Sequence, residues 1–122
     1  MASKEDIIAL FDAWNSALQT QKPKKVVELY ERDAVLLPTI SNQVRHNHEE
    51  IEDYFVTFLE REPFGKILEA NVRIFSDIAI NSGVYNFNFK DGSSVQARYS
   101  FVYRWNGREY KIIEHHSSQM PE

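Results

Sequence analysis

The chain has 122 residues, 43% of them apolar and 26% charged, a globular balance that argues against disorder, a fibrous repeat or a coiled coil. It contains no cysteine, which excludes disulfides, thiolate nucleophiles, iron-sulfur clusters and thiolate zinc sites. Fourteen Lys and Arg against eighteen Asp and Glu give a formal charge of -4, too acidic overall for a nucleic-acid or anionic-membrane surface.

The charged start Met1 to Asp6 is not followed by an apolar signal segment, and no apolar run approaches the ~18 residues of a membrane span. Cytoplasmic residence is the expectation. No repeat, low-complexity tract or Gly/Ser linker interrupts the sequence, which predicts one domain over residues 1–122.

Ser3 with Asp6 three residues on can cap a helix, and Ile7, Leu10, Phe11, Trp14 and Leu18 then recur at three- and four-residue steps. The spacing predicts an amphipathic helix over about residues 4–20. Pro23 suits the first turn of a second helix, with Val26, Val27, Leu29 and Tyr30 as its apolar stripe and Glu31, Arg32 and Asp33 closing it. Lys22, Lys24 and Lys25 flank Pro23 without aromatic interleaving and fit a solvated helix start. Ala34 to Leu37 is a short buried strand stopped by Pro38. Asn47 can cap a third helix, with Glu49, Glu50 and Glu52 near its positive end. Its buried face is Ile51, Tyr54, Phe55, Phe58 and Leu59, and Pro63 and Gly65 end it.

From Ile67 onward β-branched and aromatic residues are punctuated by turns at Ser76-Asp77, Asp91-Gly92 and Asn106-Gly107, which predicts four strands in an antiparallel meander. In residues 95–105, Val95, Ala97, Tyr99, Phe101, Tyr103 and Trp105 alternate with Gln96, Arg98, Ser100 and Arg104, giving a core face and a polar face. In the preceding strand the apolar set shifts from Ile78 and Ile80 to Tyr85, Phe87 and Phe89, with Ser82-Gly83 at the shift. A bulge is expected there. Three helices followed by a curved antiparallel sheet make an α+β domain, its first helix lying across the concave face.

The segments Ala97 to Arg104 and Ile113-Glu114-His115-His116-Ser117-Ser118 resemble the last strands of the nuclear-transport-factor-2-like superfamily. The likeness is to the bacterial SgcJ/EcaC and SnoaL-like proteins related to the association domain of calcium/calmodulin-dependent protein kinase II. It extends through Trp14, Leu29-Tyr30, Asp33 to Pro38, Tyr54-Phe55 and Phe58-Leu59, nearly the whole chain. The resemblance implies a cystatin-like cone with an internal cavity, paired into homodimers through the outer face of the sheet. It implies no single chemistry, because such folds serve isomerases, dehydratases, cyclases and assembly modules. The cavity arginines of that association domain fall here on Tyr85, Phe101 and Ser117 in an ungapped comparison, which suggests an aromatic cavity instead. No glycine-rich phosphate loop, His-Arg-Asp or Asp-Phe-Gly is present, and no basic amphipathic segment of the calmodulin-target type. Calmodulin is not an expected partner.

His46 and His48 lie two apart beside Glu49 and Glu50, a spacing that could face one divalent ion from an extended segment. No third ligand is indicated. The expectation is a polar loop, with no metal and no cofactor. His115 and His116 are adjacent on a strand and must point to opposite faces. A two-residue loop at Asn106-Gly107 would pair Trp105 with Arg108 and put Glu114, His116 and Ser118 on the aromatic face. A three-residue loop would pair Arg104 with Arg108 and put Ile113, His115 and Ser117 there. The resemblance favours the second arrangement, which sets Arg98 opposite Glu114 on the outer face.

Two functions compete. One is a dimer whose cavity, lined by Trp14, Tyr30, Tyr54, Tyr85, Tyr99, Phe101, Tyr103, His115 and Ser117, binds a small apolar or aromatic molecule or serves assembly alone. The other is an isomerase, dehydratase or cyclase using His115 or His116 for general acid/base catalysis. The dimer contact would use Gln96, Arg98, Ser100, Arg104, Glu114 and His116, with Val102 and Ile112 as an apolar patch among them.

Overall fold

The computed structural model describes residues 2–121. Helix α1 spans Lys4–Gln19, and its start is fixed reciprocally: the Asp6 N–H donates to Ser3 Oγ at 3.1 Å while the Ser3 N–H donates to the Asp6 carboxylate at 2.9 Å. Helix α2 is a single turn, Pro23–Val27, followed by strand β1, Tyr30–Leu37. Helix α3, His48–Glu60, is capped by Asn47, whose Oδ1 accepts the Glu50 N–H at 2.9 Å. Strands β2 (Phe64–Phe75), β3 (Ile78–Asn88), β4 (Ser94–Trp105) and β5 (Tyr110–Gln119) follow as an antiparallel meander. Strand β1 then joins β5 in parallel, so the five-stranded sheet has the order β1-β5-β4-β3-β2. Among the described residues no helix is long and apolar enough to cross a membrane.

The second helix is shorter than its apolar stripe suggested. Tyr30 is the first residue of β1, set opposite Ile112, and the Ile112 N–H donates to Leu29 O at 2.9 Å. A sheet edge offers this segment main-chain partners that a solvated helix lacks, so Glu31, Arg32 and Asp33 lie in the strand rather than closing a helix. The strand therefore begins at Tyr30, four residues before Ala34.

The expected bulge at Ser82-Gly83 is also displaced. Strand β3 pairs with β4 without interruption from Ile78 to Asn88, and the irregularity lies on β2, between Ile67 and Glu69. The inward positions of β3 are Ala79, Asn81, Gly83, Tyr85 and Phe87 in one phase, while Ile78 and Ile80 belong to the outer face. Gly83 matters through space instead. A Cβ there would sit 2.0 Å from the Glu69 carbonyl oxygen and 2.7 Å from its carbon, so only glycine lets β2 bulge against it.

The β4–β5 connection matches neither loop length considered above. Trp105 pairs with Tyr110, leaving four residues, Asn106 to Glu109, in the loop; the Asn106 N–H donates to Glu109 O at 3.0 Å, and Gly107 takes φ 98°. A second irregularity, between Val102 and Tyr103 on β4, leaves Ile113 without a partner on β5. Tyr103 is thus opposite Ile112, Phe101 opposite His115 and Tyr99 opposite Ser117. Ile112 is buried in the core and not on the outer face. Arg98 faces Ser118 and Glu114 faces Val102, so the expected Arg98–Glu114 pairing is absent.

On the inner face Trp14 of α1 stacks on Tyr85 with ring centroids 6.4 Å apart, and meets Phe101 edge-on at 5.4 Å. Phe55 and Phe58 of α3 complete the contact with Trp14 and Phe87. Burying each of these rings contributes ~2–3 kcal/mol. On the other face, hydrogen-bonded register aligns Val35, Glu114, Val102, Ile80 and Arg73 as one row across all five strands.

Candidate functional site

The interior holds a chain of polar groups threaded through aromatic rings. His115 is fully enclosed, its ring stacked on Phe101 at 4.0 Å. Its Nδ1 lies 2.9 Å from Tyr30 Oη and its Nε2 lies 3.1 Å from Tyr85 Oη. Trp14 Nε1–H donates to Tyr30 Oη at 3.1 Å, Tyr85 Oη donates to Ser117 Oγ at 2.6 Å, and Ser117 Oγ in turn meets Thr39 Oγ1.

Counting hydrogens selects the tautomer. If Nδ1 carried the proton, Tyr30 Oη would accept from both Trp14 and His115, and its own hydrogen would have no acceptor. With the proton on Nε2, every donor is used: Trp14 to Tyr30, Tyr30 to Nδ1, Nε2–H to Tyr85, Tyr85 to Ser117, and Ser117 to Thr39. All donation runs in one direction, from α1 to the segment after β1.

Burial sets the ionisation of this array. Desolvation, helped by the neighbouring His116, pulls the His115 pKa down to about 3, so the ring is neutral at physiological pH. Burial likewise pushes the Tyr30, Tyr85 and Tyr103 phenols well up, and Tyr99 up to about 12. Among the described residues the buried polar side chains are Asn81, His115 and Ser117, with no carboxylate in the set. None of these groups is poised to exchange a proton near neutrality.

The space beside this array is a slot of about 30 Å³, room for a water or two and far below the ~300–1,000 Å³ of small-molecule sites. Of the residues expected to line a cavity, Trp14, Tyr54, Tyr85, His115 and Ser117 border the slot. Tyr30 reaches it through its bond to His115, whereas Tyr99, Phe101 and Tyr103 do not border it: Tyr99 bonds Glu69 O of β2, Phe101 meets Phe11 of α1, and Tyr103 stacks on Phe101. Thr39 and Ile40 were missed, and the polar run after Pro38 gave no pattern that marks them. Tyr99 donates to Asn81 Oδ1 at 2.9 Å.

His116 and Glu114 are exposed on the outer face, with Gln96, Arg98 and Arg104; Ser100, opposite His116, is half-buried. Arg104 is committed within the chain, gripping Glu31 on β1 through Nε at 3.0 Å and a second nitrogen at 2.5 Å. His46 and His48 do not converge. His46 Nδ1 meets Glu50 at 3.0 Å and His48 Nε2 meets Tyr30 O at 2.6 Å. Among the described residues no three metal-ligating side chains come together.

The family model of the calcium/calmodulin dependent protein kinase II association domain matches residues 3–121. The chain belongs to this family. A crystal structure from Xanthomonas campestris bearing the same association-domain name is 49% identical and superposes with a TM-score of 0.95, over 100% of this chain and 91% of that one. The association domain of C. elegans CaMKII shares 16% identity and a TM-score of 0.77 over 94% of each chain. A structure from Parabacteroides distasonis described as a ketosteroid isomerase shares 21% identity and a TM-score of 0.77, over 98% of this chain and 89% of that one. The last two show the fold alone, which this association domain shares with nuclear-transport-factor-2-like and cystatin-like structures. No curated protein matches the chain. The likeness noted in the last two strands thus holds over the whole domain.

Proposed function

We propose that this association domain is a self-assembly module that pairs with a second copy through the outer face of its sheet. The observation that carries the reading is the apolar pair Val102 and Ile80 on adjacent strands, with Ile78 beside them and Val35 beyond Glu114 in the same row, on the face opposite α1 and α3. Apolar side chains on a sheet face meet water unless a partner covers them, and a two-fold contact is the commonest arrangement. Gln96, Arg98, Ser100 and His116 would form the polar surround of such a contact, as would Arg104 beside its Glu31, while Glu114 stands within it between Val35 and Val102. Membership of an association-domain family supports the same reading.

Catalysis by His115 is the weaker alternative. An isomerase, dehydratase or cyclase needs a group that can give and take a proton at working pH, whereas His115 is held neutral and spends both nitrogens on tyrosines. His116 points away from the slot, so it could serve only a substrate on the outer face.

Sedimentation equilibrium tests the proposal. The wild type should dimerise in the micromolar range, and Val102→Lys and Ile80→Lys should be monomers with unchanged circular dichroism. A wild type that stays monomeric at about 100 μM, or a dimer indifferent to both substitutions, would reject the interface.

A further inference from the structure

The two edges of the sheet are finished differently. Beyond β1, the Leu36 N–H and C=O exchange hydrogen bonds with Arg45 at 2.9 Å each, so that edge has a main-chain partner. At the other edge, β2, the Asn15 side chain accepts the Gly65 N–H and donates to its carbonyl at 2.9 Å each. Gly65 therefore turns its polar groups away from β3. Strand β3 pairs with β4 without a break, which carries the alternation past the irregularity after Ile67 and turns the main chain of Ala70, Val72 and Ile74 to the open side. Among the described residues no strand or side chain meets those groups.

The usual guards of an exposed edge, a lysine and a bulge, sit in the first half of β2, at Lys66 and beside Leu68. Residues 69–75 hold no proline and run regularly against β3. Leu68 and Phe75 are 49% and 57% exposed despite their apolar character. Glu69 and Arg73 are exposed on either side of Asn71, and neither makes an ion pair among the described residues. Asn71 Nδ2 donates to the Glu69 carboxylate at 2.9 Å, which holds that charge along the strand.

We propose that β2 pairs antiparallel with β2 of a second copy about a two-fold axis at Asn71, joining two sheets edge to edge. Charge and apolar contact select this register together. Centring on Asn71 sets Glu69 of each copy opposite Arg73 of the other and brings Leu68 opposite Ile74, beside Phe75. Centring on Ala70 would set Glu69 opposite Asn71, and centring on Val72 would set it opposite Phe75, so both leave the charges unmatched. Registers between these oppose an outward main chain to an inward one and cannot form the ladder. In the chosen register Ala70 and Val72 of one copy exchange main-chain hydrogen bonds with Val72 and Ala70 of the other. Glu69, Asn71 and Arg73 then occupy the closer, non-hydrogen-bonded positions, where cross-strand side chains meet most directly. The contact uses the sheet edge and not the face carrying Val102 and Ile80, so it goes beyond the face pairing and the two stand or fall separately.

The chain has no cysteine, so single-cysteine variants report this contact through disulfide formation. Opposed non-hydrogen-bonded residues have Cα atoms ~4.5 Å apart, within disulfide reach. Asn71→Cys meets its own copy there, whereas Arg73→Cys lies ~14 Å along the ladder from its copy, out of reach. With each rate normalised to that thiol's reaction with a small disulfide, Asn71→Cys should cross-link at least about tenfold faster than Arg73→Cys. The same ratio should hold with Val102→Lys added, which removes the face contact. Arg73→Glu should slow the Asn71→Cys cross-link about tenfold, and Arg73→Glu with Glu69→Arg should restore it. All these side chains but Val102 are exposed, and circular dichroism verifies the fold of each variant. Equal rates for the two cysteines, a cross-link abolished by Val102→Lys, a rate indifferent to Arg73→Glu, or no recovery on charge exchange would each overturn the proposal.

Discussion

Tyr30 Oη donates to Nδ1 of His115 at 2.9 Å, tying the edge strand β1 to β5 through the middle of the core. The same oxygen accepts from Trp14 Nε1, so one phenol connects α1, β1 and β5. Tyr30→Phe keeps the ring but strands two buried partners, the indole N–H and Nδ1. The expected loss is about 2–6 kcal/mol in urea unfolding, from ~1–3 kcal/mol for each of the two unsatisfied groups. A loss below ~1 kcal/mol would show that water repairs the array.

The depressed pKa of His115 makes stability depend on pH with a definite sign. In the unfolded chain the ring takes a proton near pH 6.5, while in the folded chain it does so only near 3. Between these values the unfolded state holds the extra proton, so stability falls as pH falls, by up to ~1.4 kcal/mol per unit, and this contribution is flat above the unfolded pKa. Urea midpoints of the wild type should therefore drop from pH 6.5 toward 4 more steeply than those of His115→Gln. Parallel curves would mean that His115 is protonated in the fold.

Gly83→Ala should be among the most damaging single-methyl additions in the chain. Its Cβ would collide with main-chain atoms of Glu69, 2.0 and 2.7 Å away, and backbone paired in the β2–β3 ladder cannot yield as a side chain can. We expect a loss above ~3 kcal/mol or insoluble expression. Gly92→Ala, with open space around it but φ 88°, should cost less, through backbone strain alone. Thermal melts of the two variants side by side give the order, and a harmless Gly83→Ala would disprove the close approach.

Arg98 and Glu114 lie on one face without touching each other, since Arg98 sits opposite Ser118 and Glu114 opposite Val102. In a two-fold contact residue i of one copy meets residue j of the other, twice. If they meet in this way, Arg98→Glu should weaken self-association at least about tenfold, and Arg98→Glu combined with Glu114→Arg should restore it. Sedimentation at graded concentrations reads both. A double variant no better than the single one would place the two charges apart in the assembly.

Local chemistry made much of the molecule legible in advance. The Ser3 and Asn47 caps, the three- and four-residue spacing from Ile7 to Leu18, and the alternation from Ala97 to Tyr103 each depend on contacts within a few residues. They appear in α1, α3 and β4 as the sequence implies. The opposite directions of His115 and His116 are equally local, following from the two-residue period of a strand.

What the sequence could not decide depended on partners far along the chain. Tyr30 to Asp33 reads as the end of a helix until Ile112 supplies a main-chain partner across the sheet. The register of β5 rests on a four-residue loop and on Ile113, left without a partner, and no composition rule distinguishes that from the tighter turns Asn106-Gly107 also allows. The Ser82-Gly83 shift marked a true irregularity but on the wrong strand, because Gly83 is the residue that makes room and Glu69 lies beside the bulge that uses it. The proton direction through Trp14, Tyr30, His115, Tyr85, Ser117 and Thr39 arises from six residues brought together by folding alone. Periodicity identifies which side chains leave water. Only the packed structure determines which of their polar atoms meet, because a buried donor takes whichever acceptor the tertiary contacts bring within 3 Å of it.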